Sequence, residues 1–383
     1  CLGITDIDPI KHGLLFERFL NVERATMPDI DMDFPDDRRD EVIRYVGKKY
    51  GKERVAHIVT FGCFASRSAI RDSSKVLKLS DVRLKEILKC INKDPYTPLK
   101  QIYEQSEKLQ ELCSKYPDID QVVKVAMKIE GLPRNTSTHA AGIIMTKEDL
   151  VTYTPLDEGL NDIYQTQYEA VDLEKLGLLK NDFLGLRNLT NIKNCLDSIK
   201  KENPNFVMPK DYNDPKTFKM IASGETTGVF QLESAGMRKV LRDLKVSSFD
   251  DITSAIALYR PGPMDIIPTF IKRKFKEEIV TYPHPDLEPI LKNTYGTIVY
   301  QDQIMLIAWR FAGYSLGQAD ILRRAVSKKK KEILEAERIN FVSSSVKKGY
   351  TKETAEEIYD YIVKFANYGF NKAHSVAYAV VAY

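Results

Sequence analysis

Three aspartates, Asp29, Asp31 and Asp33, alternate with apolar residues in the stretch PDIDMDF, residues 28–34. On a strand, residues two apart point the same way, so these acids would share one face and repel each other. Asp is also a poor strand former. A cation among the carboxylates removes the conflict, and hard oxygen donors of this kind select Mg²⁺ or Mn²⁺ rather than zinc. A second run, LLKNDFLG, offers Asp182 between apolar residues, with Lys180 two positions earlier on the same face. Mg²⁺ keeps several waters and shares a substrate's phosphates, so two or three protein carboxylates suffice. Two such ions could activate a 3′-hydroxyl and steady a leaving pyrophosphate, which is nucleotidyl-transfer chemistry. The competing reading has these acids capping turns or pairing with Arg38 and Arg39, and Asp29 fits a turn residue after Pro28 equally well.

A basic counterpart lies far along the chain in RRAVSKKKK, Arg323 to Lys331. Adjacent arginines present forked donors suited to phosphate oxygens, and a following lysine patch can neutralise a nucleic-acid backbone. The alternative is a solvated helix face. Asn371, Lys372 and His374 in GFNKAHSVAY add polar groups beside an apolar helix, where His374 fits a structural histidine as well as a ligand contact.

The elements that must position these residues follow from periodicity. PDIDMDF and then PDDRRDEVIRYVGKKYG read as strand, turn and helix, with Val42, Val46 and Tyr50 at helical spacing and Gly51 as the stop. RVAHIVTFG reads as another strand, Cys63 to about Glu130 as a charged helical insertion, and AAGIIMT and GLLKNDFLGL as returns to short apolar runs. From about Asn188 helices alternate with Gly and Pro punctuation, and the last clear helix follows Thr351, with Ile358, Ile362 and Phe365 on one face.

Composition bounds the rest. With 383 residues, 43% hydrophobic and 29% charged, the chain has room for two or three domains of ordinary globular type. Its 57 basic and 54 acidic residues give a net charge of +3, so a polyanionic partner must be argued from local clustering. Five scattered cysteines (Cys1, Cys63, Cys90, Cys113, Cys195) without a CxxC pair fit buried free thiols in a reducing compartment. No run reaches the roughly 18 apolar residues of a membrane span, and a cytoplasmic location is expected. The start without Met and the stop inside SVAYAVVAY read as those of an internal fragment.

Taken in order, RFLNVERATMPDIDMDFPDDRRDEVI, IVTFGCFASRSAIRD, THAAGII, KNDFLGLRNLT, GVFQLESAGMR, LYRPGPM, GTIVYQDQIM, GYSLGQADILRRAVSKKK and NYGFNKAHSVAYA resemble the catalytic core of the bacterial family C replicative DNA polymerases, the DNA polymerase III alpha family. HAAG, QLES and RPGPM resemble its DnaE branch more than its PolC branch. The resemblance implies an α+β fold: a polymerase-beta-like nucleotidyltransferase palm (1–62 and 136–187), an inserted helical thumb (63–135) and large, mainly helical fingers (188–383). It implies a DNA-directed DNA polymerase adding dNTPs to a primer 3′ hydroxyl by two-metal catalysis in chromosome replication. Asp31, Asp33 and Asp182 would be the catalytic, metal-binding triad, with Asp29 outside it. Lys180, Arg323 and Arg324 would contact the incoming nucleotide, and Lys328 to Lys331 and Arg24 are weaker candidates. Mg²⁺ is the implied cofactor, with Mn²⁺ as a substitute. Primer-template DNA, dNTPs, and, through regions outside this chain, a sliding clamp and other replisome subunits are the implied partners, with no membrane. The family's Gly/Ser-rich phosphate loop would lie upstream, so this stretch alone is not expected to be fully active. Two rivals stay open: a sugar-nucleotide transferase using its DxD, and a non-catalytic nucleic-acid-binding module.

Overall fold

The structure, a computed structural model, describes the chain apart from residues 1–4, 6, 24–26, 29, 92–96, 329–330 and 367–368, and apart from the side chains of residues 327, 328, 331–333 and 366. Asp29, Arg24 and Cys1 therefore lie outside the described residues, as do the side chains of Lys328 to Lys331. Contacts divide the chain into two units, Asp29–Thr190 and Cys1–Pro28 with Asn191–Tyr383.

The first unit is built on a six-stranded mixed sheet in the order β1-β6-β3-β2-β5-β4. Its strands are β1 (Ile30–Pro35), β2 (Val55–Cys63), β3 (Pro133–Met145), β4 (Leu156–Glu158), β5 (Tyr164–Thr166) and β6 (Lys180–Leu186). β1 runs parallel to β6, which runs antiparallel to β3. The expected strand, turn and helix at the start are observed: α1 (Arg39–Tyr50) follows β1 and ends at Gly51, whose φ of 95° is a conformation that glycine adopts readily. Alternation then does the sorting. Met32 and Phe34 of β1 and Phe183 of β6 join Ile43 and Val46 of α1, Val55, Ile143 and Ile163 in one core. On the opposite face, Ala56, Ile58 and Ile144 are covered by Leu150, Leu178 and Leu173, the last from α7 (Ala170–Lys175).

The helical insertion after β2 comprises α2 (Ser66–Val76), α3 (Asp81–Cys90), α4 (Leu99–Gln105), α5 (Glu107–Lys115) and α6 (Pro117–Ile129). It has a core of its own around Ile70, Ile87, Leu99, Leu109, Ile119, Val122 and Val123. Ser80 and Ser106 cap α3 and α5 by accepting the N–H of Arg83 and Leu109. The helix α8 (Arg187–Glu202) carries the chain out of this unit.

The second unit is helical: α9 (Pro215–Ser223), α10 (Ala235–Leu244), α11 (Phe249–Leu258), α12 (Ile267–Lys274), α13 (Glu288–Leu291), α14 (Gln301–Ala312), α15 (Leu316–Lys328), α16 (Lys331–Lys347), α17 (Lys352–Ala366) and α18 (Lys372–Ala382). One core gathers α10, α11 and α18, and a second gathers α14 to α17, including Ile358 and Ile362 as their spacing predicts. α11 is buried along nearly its whole length, so the N–H groups of its first turn need internal partners. Ser248 and Asp251 supply them through a reciprocal capping box.

Among the described cysteines no disulfide forms, as expected. Cys113 is buried, and burial pushes its thiol up to about 11. The expectation of burial fails for Cys63 and Cys195, which are exposed because they stand on outward positions of β2 and α8. No helix among the described residues is long and apolar enough to cross a membrane.

Candidate active site

Backbone register places the acids. Asp31 on β1 pairs directly with Asp182 on β6, and Asp33 pairs with Leu184. Paired residues on adjacent strands share a face about 4.8 Å apart, and residues two apart on one strand share it as well. Asp31, Asp33, Asp182 and Lys180 therefore stand on one side of the sheet. Phe34 and Phe183, on the other side, hold both strands to the core with rings 5.4 Å apart. Burying Phe183, which is 2% exposed, stabilises this anchoring by about 1.5–3 kcal/mol. β1 stands at one end of the strand order, and Pro35, which carries no N–H, closes it.

The carboxylates share a face without forming a finished cage. Among the described residues no group of three or more His, Cys, Asp or Glu side chains is gathered at metal-holding separation. Asp182 Oδ2 instead accepts from the ammonium of Lys180, and both side chains are mostly buried. Asp182 Oδ1 is buried and has no hydrogen-bond partner among the described residues. A buried carboxylate oxygen without a donor is costly. The chemistry of these residues, two exposed carboxylates and an orphaned carboxylate oxygen on one face, is that of the hard oxygen donors a divalent cation such as Mg²⁺ takes. The alternative partners named in the sequence are engaged elsewhere. Arg38 pairs with Glu41 at 2.9 Å, and Arg39 pairs with Asp40 at 3.2 Å and donates to the carbonyl of Ala140 at 2.7 Å.

The other neighbour of Asp182 is Gly142 of β3. β3 does not pair evenly with β2: the register jumps from His57↔Ile143 to Val59↔Thr138, so His139 to Gly142 bulge opposite Ile58 alone. A Cβ at Gly142 would stand 2.9 Å from both His139 Nδ1 and Ile58 Cδ1, so any side chain there would have to displace one or both. Sequence reasoning used HAAG as part of a resemblance and missed this geometry. The Gly beside a pattern of strand residues was the available signal.

The basic pair is arranged by a residue that sequence reasoning also missed. Ala319, Leu322 and Val326 of α15 are buried in the core. Asp320, 1% exposed, precedes Arg323 and Arg324 by three and four positions and faces both. Its Oδ1 accepts from Arg323 Nε and Nη2 at 2.9 and 2.7 Å, and its Oδ2 accepts from Arg324 Nε at 2.9 Å. Arg323 is itself buried at 6% exposed, so the pair is anchored rather than solvated. Arg18 approaches the same group. It donates from Nε and Nη2 to Gln301 Oε1 at 3.0 and 2.7 Å, and burial, with the charge of Arg323 second, pushes its guanidinium down to about 10. It is still a cation at neutral pH.

The trio near the end of the chain divides by role. Asn371 caps α18 by accepting the N–H of Ala373 and His374, a structural task. The Lys372 N–H donates to Asp302 Oδ2 at 3.3 Å, and its ammonium lies 5.9 Å from the centre of the Tyr300 ring. His374 packs against Phe370 and Tyr378.

Two family models match. The one described as bacterial DNA polymerase III alpha NTPase domain matches residues 1–185, and the one described as bacterial DNA polymerase III alpha subunit finger domain matches residues 188–349. The chain is 56% identical over 382 residues to the DNA polymerase III subunit alpha of Bacillus subtilis, covering 99% of this chain and 34% of that relative. It is 52% identical to that of Halalkalibacterium halodurans and 49% identical to that of Staphylococcus epidermidis, over 100% of this chain and 34% and 36% of those relatives. It thus spans about a third of the length of these curated relatives. With both its halves matched by that family's models and its whole length by such relatives, the chain belongs to the bacterial DNA polymerase III alpha family.

Proposed function

We propose that the full-length protein containing this chain is a DNA-directed DNA polymerase of chromosome replication, and that residues 1–383 supply most of its active site. The observation that carries this is the direct pairing of Asp31 with Asp182, with Asp33 on the same face and Asp182 Oδ1 lacking a donor among the described residues. Asp31, Asp33 and Asp182 would hold Mg²⁺, or Mn²⁺ in its place. The bound ions would lower the barrier to attack by the primer 3′-hydroxyl on a dNTP α-phosphate and stabilise the departing pyrophosphate.

The chain's own residues position the reactants, because phosphoryl transfer leaves a protein little covalent work. Lys180 has its ammonium on the acid face, and Arg323 and Arg324 present guanidinium groups oriented by Asp320; these three would contact the incoming triphosphate. On this reading the sheet is the palm, in two parts within 1–62 and 136–187, the α2–α6 block within 63–135 is the thumb, and 188–383 are fingers. Support for the division comes from the separate core of the α2–α6 block and from the finger-domain match beginning at residue 188. Primer-template DNA and dNTPs are the substrates. A sliding clamp and other replisome subunits would engage the rest of the full-length protein, and this stretch alone would fall short of full activity.

The deciding experiment is single-turnover primer extension with the full-length protein, with and without Mg²⁺. Template-directed, Mg²⁺-dependent extension whose DNA binding weakens steeply with salt is expected. Transfer to a sugar acceptor, or DNA binding without any incorporation, would overturn the reading.

A further inference from the structure

We propose that His139 is a positioning residue for Asp182, acting through the backbone of β3 rather than on the substrate. The inference rests on the polymerase reading above. Its imidazole lies within the bulge His139 to Gly142 and folds back over it. His139 Nδ1 accepts the N–H of Gly142 at 2.7 Å and the N–H of Ala141 at 3.2 Å. Accepting at Nδ1 places the ring proton on Nε2, a tautomer fixed here by the hydrogen bonds.

A bulge takes backbone donors out of the ladder, and each must find an acceptor or lose stability. One ring atom serves two of them here, at the point where β3 begins to pair with β6. That ladder has only three pairs, Gly142↔Asp182, Ile143↔Asn181 and Ile144↔Lys180. The first pair is the one that flanks Asp182, so the ring pins the backbone immediately beside the carboxylate. Contact is close enough that a Cβ at Gly142 would also stand 3.1 Å from the ring Cγ. Arg39 of α1 donates to the Ala140 carbonyl of the same bulge at 2.7 Å, and the Ala141 and Gly142 N–H groups are the ones His139 holds. Asp182 is thus located from two directions, by Asp31 across β1 and by the His139-pinned bulge across β3. A shift of about 1 Å in a group that positions reactants costs as much as 100-fold in rate.

Asparagine carries an acceptor where Nδ1 stands, and glutamine carries one where Nε2 stands. Full-length H139A, H139Q and H139N proteins, with D182A in parallel, would be compared by single-turnover dNTP incorporation and by amide hydrogen exchange of the peptide spanning Ala141 and Gly142. Incorporation should fall roughly 10–100-fold in H139A and H139Q, with faster exchange at the two amides, and both should stay within about threefold of the unsubstituted protein in H139N. Incorporation by H139Q at the unsubstituted rate, H139N no better than H139A, or unchanged exchange in H139A and H139Q would each overturn the proposal. A D182A protein that still incorporates dNTPs would instead defeat the polymerase site itself, so the two failures are told apart.

Discussion

The acid face of the sheet unit and the arginine pair of the helical unit solve the problem of holding like charges together in opposite ways. In the sheet, parallel register brings Asp31 level with Asp182, whose Oδ2 accepts from Lys180. In the helix, Asp320 lies within the same two turns as Arg323 and Arg324 and binds both through their Nε atoms. Backbone hydrogen bonds fix the first arrangement, so it can keep an orphaned carboxylate oxygen, Asp182 Oδ1. A mostly buried side-chain ion triad orients the second, and with two arginines on one aspartate it keeps a net positive charge. On the proposed reading, the group that would receive a cation is placed by the main chain, whereas the group that would present one is placed by a counter-charge.

Breaking the sheet half should have the largest effect. In the full-length protein, Asp31→Ala, Asp33→Ala or Asp182→Ala should each lower single-turnover dNTP incorporation by at least 10²–10³-fold, roughly the several kcal/mol a metal site supplies, with primer-template affinity nearly unchanged. Incorporation within tenfold of the unsubstituted rate would remove these residues from the chemistry.

Breaking the helical half should act on nucleotide binding and on folding together. Asp320→Ala leaves Arg323 buried without its carboxylate, which should cost about 3–5 kcal/mol of stability by denaturant unfolding and raise the KM for dNTP by about tenfold or more. Asp320→Asn, which keeps the acceptor oxygen, should lose less on both counts. A KM unchanged in Asp320→Ala would show that the anchoring does not matter to the nucleotide.

The smallest effect sharpens the contrast, because pH should act on the two units with opposite signs. Burial lowers the pKa of His57 on β2 below its ordinary 6.5, with a smaller contribution from Arg39 and opposing ones from the Leu160 backbone and Asp40. The unfolded state then binds more protons, so this contribution is present above pH 6.5 and is lost as the pH falls through the His range. Burial raises the pKa of Asp302 on α14 above 3.8, opposed by the Lys372 N–H and by the charges of Arg18 and Lys372. Here the folded state binds more protons, so stability falls as the pH rises above 3.8 until the folded group ionises. Hydrogen exchange resolved by unit and referenced at each pH to the unsubstituted protein should show His57→Gln flattening the first dependence and Asp302→Asn the second. Slopes of the same sign would contradict the burial argument.

The parts of this comparison were unequally legible in the sequence. β1, α1, β2 and the α2–α6 block follow from local periodicity, and the DxD in PDIDMDF announced its own strand face. The short strands β4 and β5 and the β3 bulge were not legible. Long-range pairing and extra residues in a strand leave no periodic mark, and three-residue strands are too short to show one. Asp320 stood in plain view in QADILRR, but the length of the following charge run drew the reading towards a solvated or phosphate-facing surface. The packing of α14, α16 and α17 around the apolar face of α15 is something no window on α15 contains.

The central claim is that strand register makes Asp31 and Asp182 one divalent-cation site. Mn²⁺ binding to the full-length protein, followed by electron paramagnetic resonance without DNA or nucleotide, tests it most directly. Loss of binding in both Asp31→Ala and Asp182→Ala is the predicted result. Undiminished Mn²⁺ binding in either variant would contradict it.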